Sequence, residues 1–446
     1  MRIRVGGTMK INQISLANYR CFAQGTFQFH PEFNLIVGVN GTGKTALLEA
    51  LSVALSTWLL GFRNKPDNSS LSKDDARLSY QEIDGRVKTT QHWPITIGAR
   101  GTVFEQNIGW ERSKESESGK VRHGKAGDLI SIAKEADKKL RGSETVTLPL
   151  VAYYGTMRLW QEPRRLKQES TIHGPGALSQ QEKTSRLTGY RHSVDPRISV
   201  RNLVSWFAKE SWVTFQNSGE ESVSLQVVRD AILSCVDGAQ RLFFDAKRGE
   251  LLFDITAHAI QPFANLSDGQ RCMLALVADL AQKAVGLNPH LGSDVLRETS
   301  GVVLVDELDL HLHPKWQRRV IEDLRRTFPS IQFICTTHSP FLIQSLRSGE
   351  ELLMLDGQPT AELNNKTLAD IAEGIMGVDD SETSIRYAEM KETAKKYLTM
   401  LDEAELAPAA KLEKFKRRLS DSIAPYADNP AYQAFLEMKR AAKLGE

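Results

Sequence analysis

Residues 38–45 read GVNGTGKT. It matches the phosphate-binding loop, in which glycines let backbone N–H groups close around phosphates, a lysine reaches the β and γ oxygens, and a hydroxyl ligates magnesium. A short apolar strand at 34–37 precedes it, and an apolar run at 46–60, long enough for a buried helix, follows it. These flanks argue against a chance glycine-rich turn. The expected cofactors are ATP and Mg²⁺, and the expected contact residues are Gly38, Asn40, Gly41, Gly43, Lys44 and Thr45.

The segment VVLVDE at 302–307 is an apolar strand that ends in two carboxylates. We expect Asp306 to hold the metal through water and Glu307 to polarise the attacking water as the catalytic base. An acidic strand end without chemistry is the alternative, but the order of this motif after the phosphate loop favours catalysis. Strands and helices alternate from 270 to 336, which predicts a parallel sheet.

The segment LSDGQ at 266–270 directly precedes a predicted helix, so Ser267 and the Gly269 amide stand at a positive helix terminus. A helix cap by Ser267 or Asp268 is the structural alternative. LSDGQ resembles the signature of ATP-binding-cassette proteins, which ordinarily reads LSGGQ, with Asp268 replacing the first glycine. The resemblance implies that Ser267, Gly269 and Gln270 contact the γ-phosphate bound by the opposite subunit.

The same resemblance assigns two further roles between 309 and 340. His338, in THSP, takes the place of a switch histidine that touches the γ-phosphate, and Asp309 belongs to a loop that crosses the dimer interface. A histidine at a strand end is otherwise structural. In DLHLHP, His311 and His313 suggest a metal site, but no third ligand stands at useful spacing, so packing and hydrogen bonding are the expected roles.

Two residues outside these motifs are weaker candidates for nucleotide contacts. Arg20, in NYRCF, resembles the early arginine that SMC and RecF-like heads place near the nucleotide; a solvated arginine is the alternative. Gln161 lies where a glutamine loop should follow the strand at 148–154, although a plain surface glutamine fits as well. Arg158, in YYGTMR, competes for the same role.

NYRCF, a middle lobe without a long coiled coil, and DELDLHLHP together resemble the RecF/SMC/OLD-like ATPases over most of residues 10–356. YYGTMR, the hairpin before LSDGQ and the tail NPAYQAFLEMKR are similar to the ATPases of the Septu anti-phage system, the PtuA family. The resemblance implies an α/β ABC-ATPase head, with a mixed or parallel sheet, helices and an antiparallel β subdomain. A helical middle lobe and a helical C-terminal tail complete the expected fold.

The resemblance also implies partners: a second copy of the chain, in a dimer or an oligomer of dimers, and an HNH endonuclease supplied in trans. Residues 352–446 lack the strand-end glutamate and D-x-D of a Toprim nuclease, so we expect no nuclease activity in this chain. A RecF-related repair clamp and a transporter's nucleotide-binding subunit are the alternative functions. The tail is the candidate docking surface, and its aromatic residues are Tyr397, Phe415, Tyr426, Tyr432 and Phe435.

Charge and composition narrow the class of protein without deciding its target. The net charge of +2 over 446 residues gives no global reason for nucleic-acid or membrane binding. Residues 158–201 nevertheless carry nine Lys or Arg against four acids, a stretch that could follow DNA or could be a solvated basic face. The four scattered cysteines and the lack of an apolar run near 18 residues predict a cytoplasmic protein without disulfides or membrane spans.

Composition shifts predict five segments and three irregular stretches. The segments are 1–60 with the phosphate loop, 61–150 with an insertion and the antiparallel β subdomain, 151–240 as a helical basic lobe, 241–356 with the remaining motifs, and 357–446 as a helical partner-binding region. Residues 1–9 look like a disordered leader, 61–86 like a surface excursion, and 112–141 like a mobile loop or exposed helices.

Overall fold

The structure is a computed structural model that describes residues 7–63, 69–83, 86–142, 144–159, 185–236, 238–255, 258–355, 366–377, 385–405 and 430–444, with positions 417 and 421 in addition. The chain divides into two compact units, Met1–Ile371 and Ala372–Glu446. The motifs between residues 18 and 340 all lie in the first unit, whereas the tail segment NPAYQAFLEMKR belongs to the second.

The described strands and helices are numbered here in chain order. The strands are β1 Met9–Tyr19, β2 Phe22–Gln28, β3 Phe33–Val37, β4 Arg77–Ile83, β5 Arg86–His92, β6 Ile95–Val103, β7 Gln106–Lys114, β8 Val121–Arg122, β9 Leu150–Tyr154, β10 Ala239–Asp245, β11 Glu250–Ile255, β12 His258–Pro262, β13 Gly301–Val305, β14 Ile331–Thr336 and β15 Leu352–Met354. The helices are α1 Lys44–Leu55, α2 Gly127–Arg141, α3 Val200–Gln216, α4 Val223–Cys235, α5 Asp268–Leu287, α6 Val295–Glu298, α7 Pro314–Gln317, α8 Val320–Thr327, α9 Pro340–Gln344, α10 Leu368–Gly374, α11 Ile385–Glu405 and α12 Pro430–Leu444.

A five-stranded parallel sheet forms the core of the first unit. Its order is β15-β3-β14-β13-β9, and every neighbouring pair is parallel. Strands β3, β9, β13 and β14 are buried along their whole length, as expected for a sheet covered on both faces. Val305 lies opposite Tyr154 on one side and Cys335 on the other, so the strands end at a common carboxyl edge.

An antiparallel sheet, ordered β2-β1-β6-β7-β8, packs on the other side of α1. Ile14, Leu16, Ile97 and Ala99 alternate into the core, while the polar residues between them face outward. Helix α1 contacts both sheets, and ten of its twelve residues are buried. The predicted fold class is confirmed: a parallel sheet with helices and an antiparallel β subdomain surround the helix that follows the phosphate loop.

The structure corrects three predictions about irregular stretches. Met9 is fully buried and begins β1, so the predicted leader ends too late. The predicted surface excursion at 61–86 contains β4, which pairs with β5 in an exposed hairpin. In the charged stretch at 112–141, one of the predicted alternatives, a helix, is present as α2. It is not merely exposed, because it packs against the 3₁₀ turn Trp58–Gly61, and the first residue of the stretch, Arg112, is buried.

A helical lobe joins the two halves of the head. Helices α3 and α4 begin at the serine caps Ser199 and Ser222, and α4 packs along α5. The three-stranded sheet β10-β11-β12 follows, where the sequence predicts only a two-stranded hairpin.

The second unit contains the helix pair α11 and α12. Tyr397, Leu401 and Leu436 form its core and are at most 1% exposed. Tyr397 is therefore not a surface docking residue, whereas Phe435 is 48% exposed. Phe415 and Tyr426 lie outside the described residues, as does the side chain of Tyr432. Within the described part of the chain, no helix is long and apolar enough to cross a membrane.

Candidate nucleotide-binding site

The glycine-rich loop between β3 and α1 has the backbone that its sequence requires. Gly41 and Gly43 have φ values of 88° and 100°, in the region that favours glycine. A side chain at Gly43 would also overlap Cys21 Sγ and the Phe22 ring. Lys44 Nζ donates to the carbonyl oxygens of Gly38, at 2.6 Å, and Val39, at 3.1 Å, so the loop closes around an ammonium group. Asn40 is exposed within this loop.

Thr45 and Asp306 meet at the carboxyl edge of the parallel sheet, although 261 positions separate them in sequence. Thr45 Oγ1 donates to Asp306 Oδ2 at 2.8 Å. Thr336 Oγ1, at the end of β14, donates to the other oxygen, Oδ1, at 2.6 Å. The Asp306 carboxylate is thus fixed by two hydroxyl groups from neighbouring elements.

Glu307 follows Asp306 in a left-handed backbone conformation, with φ of 47°. Its N–H donates to Thr336 Oγ1 at 2.7 Å, and its carbonyl oxygen accepts from Leu310 N at 3.0 Å and Arg158 Nη2 at 3.1 Å. The backbone N–H and the carbonyl group of Glu307 are therefore both hydrogen-bonded, while its side chain is only half-buried. A positive φ at a residue with a side chain is uncommon and needs such surroundings to persist.

The loops after β13 and β14 carry the other candidates from this half of the head. Thr337 Oγ1 donates to Asp309 Oδ1 at 2.5 Å, and the next residue, His338, is exposed at the same edge. His313 Nδ1 accepts the Lys315 N–H at 3.2 Å and caps α7. Among the residues that the structure describes, no group of three or more His, Cys, Asp or Glu could hold a metal ion.

The signature segment begins helix α5 and contacts its own chain. Ser267 and Gln270 form a reciprocal capping box, and Asp268 pairs with Arg271. Gly269 is buried, and a Cβ atom there would overlap the carbonyl oxygen of His311. The start of α5 is therefore packed on the loop after Glu307, while Ser267 itself stays exposed.

Arg20 lies beside the phosphate loop in an ion-pair network. It pairs with Glu49 on α1 and with Asp75, whose Oδ1 lies 3.0 Å from its Nη2. Burial raises the pKa of the Glu49 carboxyl, which the charge of Arg20 opposes. The neighbouring Cys21 touches the loop directly, since its Sγ lies 3.9 Å from the Thr42 carbonyl oxygen. Gln161 lies outside the described residues.

Three of the described arginines in the basic stretch 158–201 are bonded to other groups of the fold. Arg158 is buried, Arg186 donates to the Leu287 and Val146 carbonyls, and Arg197 makes a two-armed pair with Asp195. These three stabilise the fold, so a DNA contact would have to rest on the others. Of those, Arg164, Arg165, Lys167 and Lys183 lie outside the described residues.

The donor set suits a nucleotide with Mg²⁺. Mg²⁺ prefers oxygen ligands and uses one or two carboxylates together with waters and phosphates. Thr45 Oγ1 and Asp306 Oδ2 are such oxygens, already adjacent and next to a loop of backbone amides at a helix N-terminus. The sequence interpretation missed Thr336 and gave Arg158 no structural role. The only signal for Thr336 was its position at the end of a strand beside Asp306.

Two family models, each described as an AAA domain, match the chain at residues 13–211 and 134–344; the description of the second adds a type IV TA system. The two matches together span residues 13–344, so this part of the chain is similar in sequence to AAA-type ATPase domains. The chain is homologous to the retron ATPases and to the Septu PtuA proteins.

Two relatives and one solved structure are similar to this chain to the following extents. "Retron Vc95 probable ATPase" of Vibrio cholerae serotype O1 biovar El Tor is 24% identical and covers 78% of this chain and 74% of its own. "Septu protein PtuA" of Bacillus mycoides strain KBAB4 is 30% identical over 34% of this chain and 22% of its own. A solved SMC head bound to the C-winged helix domain of ScpA is 14% identical, covers 77% of this chain and 94% of its own, and superposes with a TM-score of 0.46.

Proposed function

We propose that this chain binds and hydrolyses ATP with Mg²⁺ between two copies of itself, and that it regulates a nuclease partner in antiviral defence. The observation that carries the first part is the hydrogen bond of 2.8 Å between Thr45 and Asp306. It brings the phosphate loop and the acidic strand end to one point at the carboxyl edge of the sheet, where ligands of open α/β sheets bind.

Each residue of this edge has a chemical task in hydrolysis. Lys44 and the loop amides bind the β- and γ-phosphates, and Thr45 and Asp306 hold the metal, Asp306 through water. When bound, Mg²⁺ neutralises charge on the phosphate oxygens. Glu307 orients and polarises the attacking water, and His338 contacts the γ-phosphate.

A second copy completes the site in this proposal. Ser267 is exposed at the start of a 20-residue helix, whose N-terminus favours anions. The proposal assigns Ser267, Gly269 and Gln270 of one copy to the nucleotide of the other, with Asp309 at the interface between them. Loss of the γ-phosphate contacts on hydrolysis would favour the open state, because only differential binding shifts such an equilibrium.

The defence role rests on the relatives. Matches to retron ATPases and Septu PtuA proteins support a regulator that acts with other proteins, and we propose an HNH endonuclease, supplied in trans, as its partner. The exposed side chain of Phe435 on α12 remains a candidate contact.

The dimer is tested with Glu307→Gln, which should bind ATP, hydrolyse it much more slowly than wild type and accumulate as a dimer in light scattering. Adding Ser267→Arg should return this variant to the monomer. Ser222→Arg is the matched control, because Ser222 also caps a helix but lies outside the motifs. A Glu307→Gln protein that hydrolyses at the wild-type rate would refute the base assignment.

The partner is tested separately by coexpression with a candidate HNH nuclease. A stable complex whose DNA cleavage changes when ATP is replaced by a non-hydrolysable analogue supports regulation. Nuclease activity that is equal with and without this chain would overturn the partner assignment without touching the ATPase assignment.

A further inference from the structure

Arg158 is a buried cation beside the acidic strand end, and backbone carbonyl oxygens accept the hydrogen bonds of its guanidinium. Only 2% of the residue is exposed, and its guanidinium donates to three backbone carbonyl oxygens, of Gly155, Asp306 and Glu307. Among the described residues it makes no ion pair with a carboxylate. Burying a charge in this way is unfavourable unless the charge is hydrogen-bonded, so the position needs an explanation.

The geometry matches the planar fork of arginine to the backbone around Glu307. Nη1 lies 2.9 Å from the Asp306 oxygen and Nη2 lies 3.1 Å from the Glu307 oxygen. In a strand, successive carbonyl groups point to opposite sides, but the left-handed φ of 47° at Glu307 breaks that alternation. Two carbonyl oxygens then face one guanidinium, which an ammonium group could not bind with the same fixed geometry.

We infer that Arg158 is the positioning residue of Glu307: it stabilises the strained backbone that aims this carboxylate, without touching the nucleotide itself. Thr336 fixes the N–H of Glu307 from β14, and Arg158 fixes its carbonyl group from the segment after β9. The inference rests on the proposed role of Glu307 as the base. Under this inference, the arginine of YYGTMR positions the catalytic backbone and does not contact phosphate.

The same residue links the catalytic strand end to the helical lobe. The carbonyl oxygen of Arg158 accepts the N–H of Ile198 at 2.7 Å, and Ser199, the next residue, caps α3. The Gly155 N–H likewise donates to the Pro196 carbonyl at 2.8 Å. The backbone of Arg158 is therefore held by the segment that leads into α3, while its side chain holds the carbonyl group of Glu307.

The test is Arg158→Lys, measured by steady-state ATP hydrolysis and by binding of a fluorescent ATP analogue. Lysine keeps the charge and loses the fork, so kcat should fall about 10- to 100-fold, the size of effect that a shift near 1 Å in a catalytic group produces. Nucleotide affinity and KM should change less than about threefold, because the phosphate loop is untouched.

Arg112→Lys is the matched control. Arg112 is also buried, and its guanidinium also donates to carbonyl oxygens, those of Val53 and Ser69, but it does so at the far end of α1. It should lower the melting temperature as much as Arg158→Lys does, while kcat stays within about twofold of wild type. If Arg112→Lys and Arg158→Lys lose kcat to the same extent, both arginines act on turnover only through the stability of the fold.

A double-mutant cycle with Glu307→Gln separates positioning from an independent effect. If Arg158 acts through Glu307, adding Arg158→Lys to Glu307→Gln should change the residual turnover less than about twofold. An equal loss in both backgrounds, or wild-type kcat in Arg158→Lys, would overturn the inference. Should Arg158→Lys not fold, Arg158→Gln, which keeps one amide donor, takes its place in the cycle. An inactive wild-type protein would instead defeat the proposed function, and the inference with it.

Discussion

At the scale of single residues, Thr336 joins the two acidic groups of the site. Its hydroxyl donates to Asp306 and accepts from the Glu307 N–H, and the residue is fully buried. We predict that Thr336→Val, which keeps the shape, lowers the free energy of unfolding by about 1–3 kcal/mol, because a carboxylate and an amide lose buried partners. ATP turnover should fall about 10- to 100-fold, because Asp306 and Glu307 would both lose the hydroxyl group that positions them.

Denaturant unfolding and ATPase assays check this prediction. Thr336→Ser retains the hydroxyl and should recover most of the turnover, because only a methyl group is lost. Turnover that stays low in the serine variant and normal in the valine variant would show that the methyl group, rather than the hydroxyl, matters.

Glu49 gives a pH-dependent prediction. Burial raises the pKa of this carboxyl above its ordinary value of 4.5, with Arg20 opposing the rise. The folded state therefore binds the proton of Glu49 more readily than the unfolded state does, and protonation of Glu49 stabilises the fold. This stabilisation is fully present below pH 4.5 and is lost as the pH rises through the folded pKa. Glu49→Gln should match or exceed the wild-type stability at pH 7, with a margin that shrinks towards pH 4.5.

Unfolding curves between pH 4.5 and 7 measure that margin. Glu32→Gln, at an exposed carboxylate, is the matched control for the substitution itself. A Glu49→Gln protein that is clearly less stable than wild type at pH 7 would show that the ion pair with Arg20 outweighs the desolvation.

At the scale of elements, helix α5 contains two glycines with opposite surroundings. A methyl group at Gly269 would overlap the backbone of His311, whereas one at Gly286 would find its nearest neighbour, Gly189 Cα, at 3.6 Å. We predict that Gly286→Ala stabilises the protein by up to about 1 kcal/mol, through helix propensity and reduced unfolded-state entropy. Gly269→Ala should destabilise it and weaken ATP-induced dimerisation, because the start of α5 must move.

Thermal unfolding and light scattering of the two variants distinguish these effects. Because both substitutions place the same methyl group in the same helix, a difference between them reports the site and not the residue type. Equal behaviour of the two variants would mean that the contact of Gly269 with the loop after Glu307 has no energetic weight.

The elements show which features were predictable from sequence. GVNGTGKT, VVLVDE and LSDGQ each combine a local pattern with a required neighbour, so strand, loop and helix follow from them and the α/β fold with them. The hairpin β4-β5 was missed because both of its faces are largely exposed, which removes the hydrophobic alternation that identifies a strand. Tyr397 was wrongly predicted to be a surface residue, and the burial of Arg158 was not predicted, because burial of one polar or aromatic residue depends on distant elements.

At the scale of the whole molecule, the second unit rests on a small core. Leu436 is fully buried there against Tyr397 and Leu401. We predict that Leu436→Ala costs about 2–5 kcal/mol in the local stability of α11 and α12, as buried leucine truncations usually do. Hydrogen exchange of the amides in these two helices should rise accordingly.

Met438→Ala is the control for that measurement, because Met438 lies on the same helix and is 72% exposed. It should leave exchange almost unchanged. Equal exchange in the two variants would show that the packing of Leu436 does not hold the helix pair together.

ATP with Mg²⁺ should stabilise the whole protein by mass action. A ligand that binds only the folded state adds about 2.7 kcal/mol at 100 times its dissociation constant. We predict that the melting temperature rises with ATP and Mg²⁺, and that EDTA removes most of the rise, because Thr45 and Asp306 then lack the ion that joins them to the phosphates. In the Asp306→Asn variant, the melting temperature should rise with ATP only as little as it does in wild type with EDTA, whatever the Mg²⁺ concentration. A rise that is insensitive to both EDTA and Asp306→Asn would mean that nucleotide binds here without metal, and the assignment of Asp306 would fail.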